Sequence, residues 1–208
     1  MVNAWPAVVA ASAGFVLGAV GSLLTGRLLR QRARIASSWW LGAIITALVL
    51  AVLGWRIGPR GELIVYAFVL ALGVPLAIID WVEHRLPRIV VVPQLLGGAV
   101  GLGLLCVARA DAAPGIRALW AMLAATGFYL LLAVVVEGGV GSGDVGLAAV
   151  VGLVTGWSGW AELAGALVLA SFVALVLLLV PRKGGGRAAV PFGPCLLTGM
   201  AAMLAITG

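Results

Sequence analysis

The chain has 208 residues, of which 63% are hydrophobic and only 10% are charged. A soluble domain with so few charges would present too apolar a surface to water, so this composition excludes an ordinary soluble protein. The length fits one integral membrane domain over residues 1–208. A net charge of +6 would suggest a nucleic-acid partner for a soluble protein. Here the basic residues lie in short loops between apolar runs, so they indicate membrane topology and no nucleic-acid partner is expected.

Eight mostly apolar segments follow one another, and each is a candidate membrane helix, although some fall short of the usual 20 or so residues. They cover approximately residues 7–29, 39–53, 63–79, 89–108, 116–136, 145–157, 163–180 and 190–206. In the first segment the basic residues follow the apolar stretch, which is opposite to the order in a signal peptide. We therefore expect a retained first helix and an all-α fold, a polytopic membrane bundle of about eight helices.

The basic residues of alternate loops predict the orientation. One set of loops carries nine of them: Arg27, Arg30, Arg32, Arg34, Arg85, Arg88, Arg182, Lys183 and Arg187. The other set carries four: Arg56, Arg60, Arg109 and Arg117. Because basic loops stay in the cytoplasm, the first set is predicted to be cytoplasmic in a multi-pass protein of the inner (plasma) membrane. The loops that hold Asp80 and Asp144 then both lie on the cytoplasmic side.

Two aspartates stand at the borders of apolar segments. Asp80 directly follows the third segment, and Asp144 directly precedes the sixth. A carboxylate at the edge of a membrane helix is costly unless it faces water or a partner. If the two meet, like charge leaves one proton on the pair, so that one carboxylate activates water as a base while the other donates to a carbonyl oxygen. This chemistry cuts a peptide bond without a metal or a nucleophilic side chain.

Plainer interpretations of the same aspartates stay open. Asp144 could only cap the N-terminus of a helix, and Asp80 could only balance Arg85 or Arg88 at the interface. The run Gly141-Ser142-Gly143-Asp144-Val145-Gly146 also matches G-x-G-x-x-G, but it lies between two membrane helices and lacks the βαβ context of a dinucleotide site. We interpret these glycines as allowing close backbone approach, either between helices or between a substrate strand and Asp144.

Three motifs in this order resemble type IV prepilin peptidases and preflagellin peptidases. Asp80 precedes Leu86-Pro87 by six residues, Gly141-Ser142-Gly143-Asp144 matches Gly-x-Gly-Asp, and Pro191-Phe192-Gly193-Pro194 matches a segment that opens the last helix. In the first helix, Gly21-Ser22-Leu23 is similar to a further family element. The resemblance implies that Asp80 and Asp144 are the catalytic pair. It further implies that Gly141, Gly143 and residues 191–194 shape the site.

The resemblance also implies a substrate. Such enzymes cut the basic leader from a prepilin or pseudopilin at the cytoplasmic face, while the substrate's hydrophobic helix stays in the lipid bilayer. Two positions depart from the family pattern, since Gly146 stands where Lys is common and Arg88 where Asn or Asp is common. The segment 27–38 is too short for the methyltransferase region of larger members and lacks its cysteine pairs. We therefore expect a peptidase without methyltransferase activity.

No cofactor and no metal are expected. The only histidine is His84, and Cys106 and Cys195 lie in separate apolar runs, whereas a zinc site gathers several N or S ligands. Helix dipoles predict that the shared proton sits on Asp80, at a helix C-terminus, and that Asp144, at an N-terminus, is the base. Pro194 and Gly193 are expected to loosen the first turn of the last helix, unless that helix simply starts there with a kink.

Two other functions stay open from the sequence. The aspartates could be proton or cation sites of a small transporter, or the chain could be a non-catalytic scaffold derived from a peptidase. Glu83 and Glu137 could contact a basic leader, although solvated charges are the plainer interpretation. Oligomeric state does not follow from the sequence.

Overall fold

In the part of the chain that the structure describes, the fold is a bundle of eight α-helices. The computed structural model describes residues 5–28, 39–135, 141–179 and 191–207. The helices are α1 (Trp5–Leu28), α2 (Trp39–Ile57), α3 (Gly61–Glu83), α4 (Arg88–Arg109), α5 (Ala113–Val135), α6 (Ser142–Ser158), α7 (Trp160–Leu179) and α8 (Phe192–Thr207). No strand occurs in these ranges. The predicted all-α polytopic membrane bundle is confirmed. Three loop segments, residues 29–38, 136–140 and 180–190, lie outside the described part.

Six of these helices, α1 to α5 and α7, are long and apolar enough to cross a membrane. The other two are shorter, with 17 residues in α6 and 16 in α8. At 1.5 Å per residue, those lengths correspond to roughly 26 and 24 Å, against about 30 Å of hydrocarbon. The two short helices are also the two whose first turns approach the aspartates.

Several predicted helix boundaries were wrong by three or four residues, and two of these errors change the setting of an aspartate. The third helix does not end at residue 79 but continues to Glu83, because Trp81 and Val82 prolong the helix. It ends where His84 adopts a left-handed conformation (φ 48°) and donates its N–H to the Asp80 carbonyl. The sixth helix starts at Ser142 rather than at 145. Asp80 and Asp144 are therefore inside helices, one turn from their ends.

Consecutive helices pack as tight hairpins through small residues. In α5 and α6, a Cβ added to Gly152 would lie 2.6 Å from the Ala121 carbonyl oxygen and 2.8 Å from the Met122 Cα. Gly18 of α1 would meet the Ala43 Cα of α2 at 2.8 Å in the same way. Lipid tails are as apolar as leucine, so helices in a membrane associate through such close packing rather than through hydrophobic burial.

Three arginines tie helices together at the end of the bundle opposite the aspartates. The Arg56 side chain donates to the Ala205 and Ile206 carbonyls at the end of α8. Arg109 forms two hydrogen bonds with Glu62, at 2.5 and 2.7 Å. Arg117 donates to the last carbonyls of α6, Gly156, Trp157 and Ser158. These bonds anchor the C-termini of both short helices at this end.

Tryptophans mark several helix ends, as is typical of the interfacial aromatic belt of a membrane protein. Trp5, Trp40, Trp55, Trp81 and Trp160 are half exposed or more. Trp157 differs, because it is buried and its indole N–H donates to Glu62. The hydrogen bond from Trp157 to Glu62, which joins α6 to α3, could not be predicted from the sequence.

Candidate active site

Asp80 lies in the last turn of α3 and is buried, with 5% of its surface exposed. Its Oδ2 accepts a hydrogen bond of 2.9 Å from the backbone N–H of Gly193, the second residue of α8. Only glycine fits there, because a Cβ at Gly193 would lie 2.8 Å from Oδ2 and 3.2 Å from Cγ of Asp80. The Phe-Gly-Pro segment thus brings an unsatisfied helix N-terminal amide to a buried carboxyl group.

Asp144 is half buried in the first turn of α6. Its Oδ2 accepts a 3.0 Å hydrogen bond from the N–H of Gly141, while its own N–H donates to the Gly141 carbonyl at 3.0 Å. A carboxylate in the first turn that reaches back to the preceding amide stabilises a helix N-terminus. Asp144 is therefore not the N-cap residue that the sequence left open. It is the third residue of α6, and its carboxyl group binds the amide of the N-cap residue Gly141, which fixes one of its oxygens.

Leu86 connects the surroundings of the two aspartates. A Cβ at Gly143 would lie 2.6 Å from the Leu86 Cβ and 3.1 Å from its carbonyl oxygen. A Cβ at Gly193 would lie 3.2 Å from the Leu86 Cδ2. The loop between α3 and α4 is therefore inserted between the starts of α6 and α8. Through Gly193 and Gly143, which both lie against Leu86, the surroundings of Asp80 and Asp144 adjoin at one end of the bundle.

The four residues 191–194 lie at this same end, but not as a loosened turn. Pro191 is buried just before α8, and its carbonyl accepts the thiol of Cys195 at 3.4 Å. Phe192 is the half-buried first residue of the helix, and Pro194 occupies its first turn. The helix runs on without interruption to Thr207. Proline is tolerated in a first turn because its missing N–H would have no partner there, so the expected loosening was wrong.

The reason for assigning the shared proton from helix dipoles also changes. Asp80 is not at the last residue of α3, and its carboxyl group accepts the amide at the start of α8. Asp144 accepts the amide at the start of α6. Asp80 therefore lies between the C-terminal turn of α3 and the N-terminus of α8, whose dipoles act on its carboxyl group in opposite directions, whereas Asp144 lies at an N-terminus alone. The assignment of the shared proton to Asp80 stays a prediction.

Several polar neighbours were missed or assigned another role. Arg88 donates to the Ser142 hydroxyl at 3.2 Å and so links the start of α4 to the Gly-x-Gly-Asp segment. Glu83 pairs with Arg85, and its side chain is only 6% exposed, so it is not the solvated charge that the sequence favoured. Glu137 lies outside the described residues. The Leu-Pro motif pointed to Leu86 only as part of the family resemblance, and no sequence signal indicated the Arg88 contact.

A metal site would need several converging donors. Among the residues that the structure describes, no group of three His, Cys, Asp or Glu side chains is placed to hold an ion. Cys195 is buried beside Asp80 and Asp144, and Cys106 is half buried elsewhere. Both cysteines are free thiols.

Comparisons with known proteins point to one family. The model of the type IV leader peptidase family matches residues 63–179, a range that contains both aspartates. A prepilin leader peptidase/N-methyltransferase of Pseudomonas putida is 32% identical over 181 residues, which is 83% of this chain and 60% of that protein. The chain thus spans about three fifths of the length of this curated relative. No solved structure shows a significant match.

Proposed function

Because the chain belongs to the type IV leader peptidase family, we propose that it is an intramembrane aspartic endopeptidase that removes the basic leader of a prepilin-like protein. The observation that carries the proposal is the pair of Asp80 and Asp144. The two residues are 64 positions apart in sequence, yet their surroundings adjoin at one end of the bundle, where Leu86 lies against both Gly143 and Gly193. The name of the curated relative, a prepilin leader peptidase, supports the substrate class.

The proposed reaction needs only the two acids and water. One carboxylate takes a proton from the water, whose oxygen forms a bond to the carbonyl carbon of the scissile peptide. The other carboxyl group donates its proton to the carbonyl oxygen. Collapse of the tetrahedral intermediate breaks the C–N bond, returns a proton to the leaving amine and releases the leader with a new carboxylate. Each aspartate then recovers its starting state.

In this proposal the backbone amides of Gly193 and Gly141 orient the carboxyl groups of Asp80 and Asp144. Each holds one carboxylate oxygen, Oδ2 of Asp80 or of Asp144, through a bond of about 3 Å. A carboxyl group fixed on one oxygen presents its other oxygen in a defined direction. Holding reacting groups in place lowers the entropic part of the barrier.

We propose that this end of the bundle faces the cytoplasm. The support is the distribution of basic residues, nine in the loops of this end and four in those of the other. Three of the four at the opposite end, Arg56, Arg109 and Arg117, are also engaged in bonds between helices. These three arginines therefore have a role in helix packing at their own end. Leaving them aside makes the excess of basic residues at the aspartate end larger.

The test is processing of a prepilin with a basic leader when it is co-expressed with this chain. Replacing Asp80 or Asp144 by Asn preserves shape and removes the ionisable group. The matched control is Asp111→Asn, because Asp111 is an exposed acid at the opposite end whose side chain caps the start of α5, and Asn can do the same. We expect the shortened product from the unaltered chain and from the Asp111→Asn variant only.

The outcomes separate the competing functions. Full processing by an Asp80→Asn, Asp144→Asn double variant would refute the two-aspartate mechanism. Absence of processing by the unaltered chain, combined with a proton flux that the same substitutions abolish, would instead identify a transporter. Neither processing nor flux from a folded, membrane-inserted chain would support a scaffold.

A further inference from the structure

A long apolar groove lies between α2, α3 and α8. Its volume is about 790 Å³. At one end it is bordered by Leu41, Trp81 and Pro194, and at the other by Leu53 and Ala205. The stretch of α2 between these ends is 12 residues, or roughly 18 Å at 1.5 Å per residue. The groove therefore runs parallel to the helices over more than half of the hydrocarbon thickness.

The lining of the groove accepts only an apolar occupant. It contains no ionisable side chain. Its one hydroxyl, on Thr198, already donates to the Pro194 carbonyl within α8, at 2.7 Å. The other polar group of the lining is the Trp81 indole, at one end. Along the rest of the groove a polar partner would lose its hydration without gaining a hydrogen bond from a side chain, which is unfavourable.

The floor of the groove suits a helix. Five of its residues, contributed by α3 and α8, are Gly or Ala: Gly73, Ala77, Ala201, Ala202 and Ala205. Small residues let two helix backbones approach closely, and this is the usual basis of helix association in membranes. An apolar segment in lipid must itself be helical, because its backbone groups find no water.

The groove also leads to the candidate active site. Trp81 and Val82, at its end, directly follow Asp80 in α3. Pro194 directly follows Gly193, whose N–H binds the Asp80 carboxyl group. A helix lying in the groove would therefore end beside Asp80, and the residues that leave it would enter the space near the two acids.

We propose that this groove holds the apolar membrane helix of the protein that is cut, next to the scissile segment. The inference rests on the proposed peptidase function, and it adds which face of the enzyme the substrate approaches. The substrate helix would enter laterally from the lipid between α2 and α8, pack on the small residues, and present the chain at its end to Asp80 and Asp144.

The first experiment maps contact directly. A photo-crosslinking amino acid replaces Leu48, a groove residue that is 62% exposed, or Leu131 of α5, which is 61% exposed and distant in the fold as a control. Both are made in an Asp144→Asn background, in which uncut prepilin accumulates. We expect crosslinks to the apolar helix of the prepilin from position 48 and not from position 131.

The second experiment fills the groove. Ala202→Phe places a ring on its floor, and Ala164→Phe places the same ring on an exposed position of α7. Two substrates are compared: a prepilin with its membrane helix, and a short peptide that spans only the cleavage site. We expect Ala202→Phe to raise KM for the membrane substrate about tenfold, to leave the short peptide unaffected, and Ala164→Phe to alter neither.

The results distinguish this inference from the function on which it rests. Cleavage by the unaltered chain, with equal or no crosslinking from the two positions, would overturn the groove and leave the peptidase intact. Crosslinking to lipid alone from position 48 would identify an acyl-chain site and also overturn it. Crosslinking to the prepilin helix without any cleavage by the unaltered chain would overturn the peptidase function instead.

Discussion

Replacing Gly193 by Ala tests the contact that holds Asp80. The new Cβ would lie 2.8 Å from the Asp80 Oδ2 and 3.2 Å from the Leu86 Cδ2. Carboxyl oxygen and methyl group cannot approach so closely, so the carboxyl group must turn away and the 2.9 Å bond to the Gly193 amide is lost. A hydrogen bond to a charged group contributes about 1.5–3 kcal/mol. If this whole free energy stabilises the transition state by orienting Asp80, its loss lowers kcat/KM about 10- to 150-fold, because about 1.4 kcal/mol corresponds to each factor of ten.

The assay is cleavage of a prepilin by purified protein in liposomes, with thermal unfolding measured on the same samples. Gly127→Ala is the matched control, because nothing lies within 4 Å of the Cβ that it would add in the middle of α5. We expect the control to retain activity and to unfold at the same temperature or higher, since Ala is the better helix former. A Gly193→Ala protein that keeps kcat/KM within about twofold would refute the orienting role of this amide.

Three further substitutions test the packing around the site and its anchors. Gly143→Ala should abolish most activity through collision with Leu86, and Leu86→Gly in the same chain should restore part of it; absence of any recovery would show that the contact is not the cause. Gly152→Ala should lower the free energy of unfolding by about 1–3 kcal/mol, because its Cβ would meet the backbone of α5, and an unchanged melting temperature would contradict this. Arg117→Met should lower stability by a similar amount, about 1–3 kcal/mol, by leaving the last carbonyls of α6 without their donor. Its kcat on folded protein should stay unchanged, whereas a selective loss of kcat would place its effect in the reaction.

The bundle was predictable because its physical cause is local. A run of about 20 apolar residues in lipid must be helical, and all eight segments predicted from composition occur as helices. The shared end of Asp80 and Asp144 follows from counting alternating crossings, which needs no side-chain geometry. The boundaries near the two acids were wrong by three or four residues, because helix ends depend on capping contacts such as those of His84 and Gly141.

The contacts that shape the site could not be predicted from the sequence. The bond from Gly193 to Asp80 joins residues 113 positions apart. Nothing in either segment specifies how far α8 is shifted along α3, and that shift decides which residues meet. The position of Leu86 between Gly143 and Gly193 depends on three segments at once. The groove of α2, α3 and α8 is a property of shape, because its residues read in the sequence only as ordinary apolar positions.

The two short helices give the site its depth. Arg56 anchors the end of α8 and Arg117 the end of α6, both at the face opposite the aspartates. If these anchored ends lie level with the ends of the full spans, the length that the short helices lack, roughly 4–6 Å against the hydrocarbon thickness, falls at the aspartate end. Their first turns would then begin below the level at which full spans begin, and Asp80 and Asp144 accept amides at the starts of these helices. A recess of about one helical turn would let water reach the acids from the surface while an apolar helix in the groove reaches them from the lipid. Such an arrangement meets the two requirements of hydrolysis at a membrane helix, and it predicts that lengthening α8 by one turn before Pro191 would close the recess and abolish cleavage without unfolding the bundle.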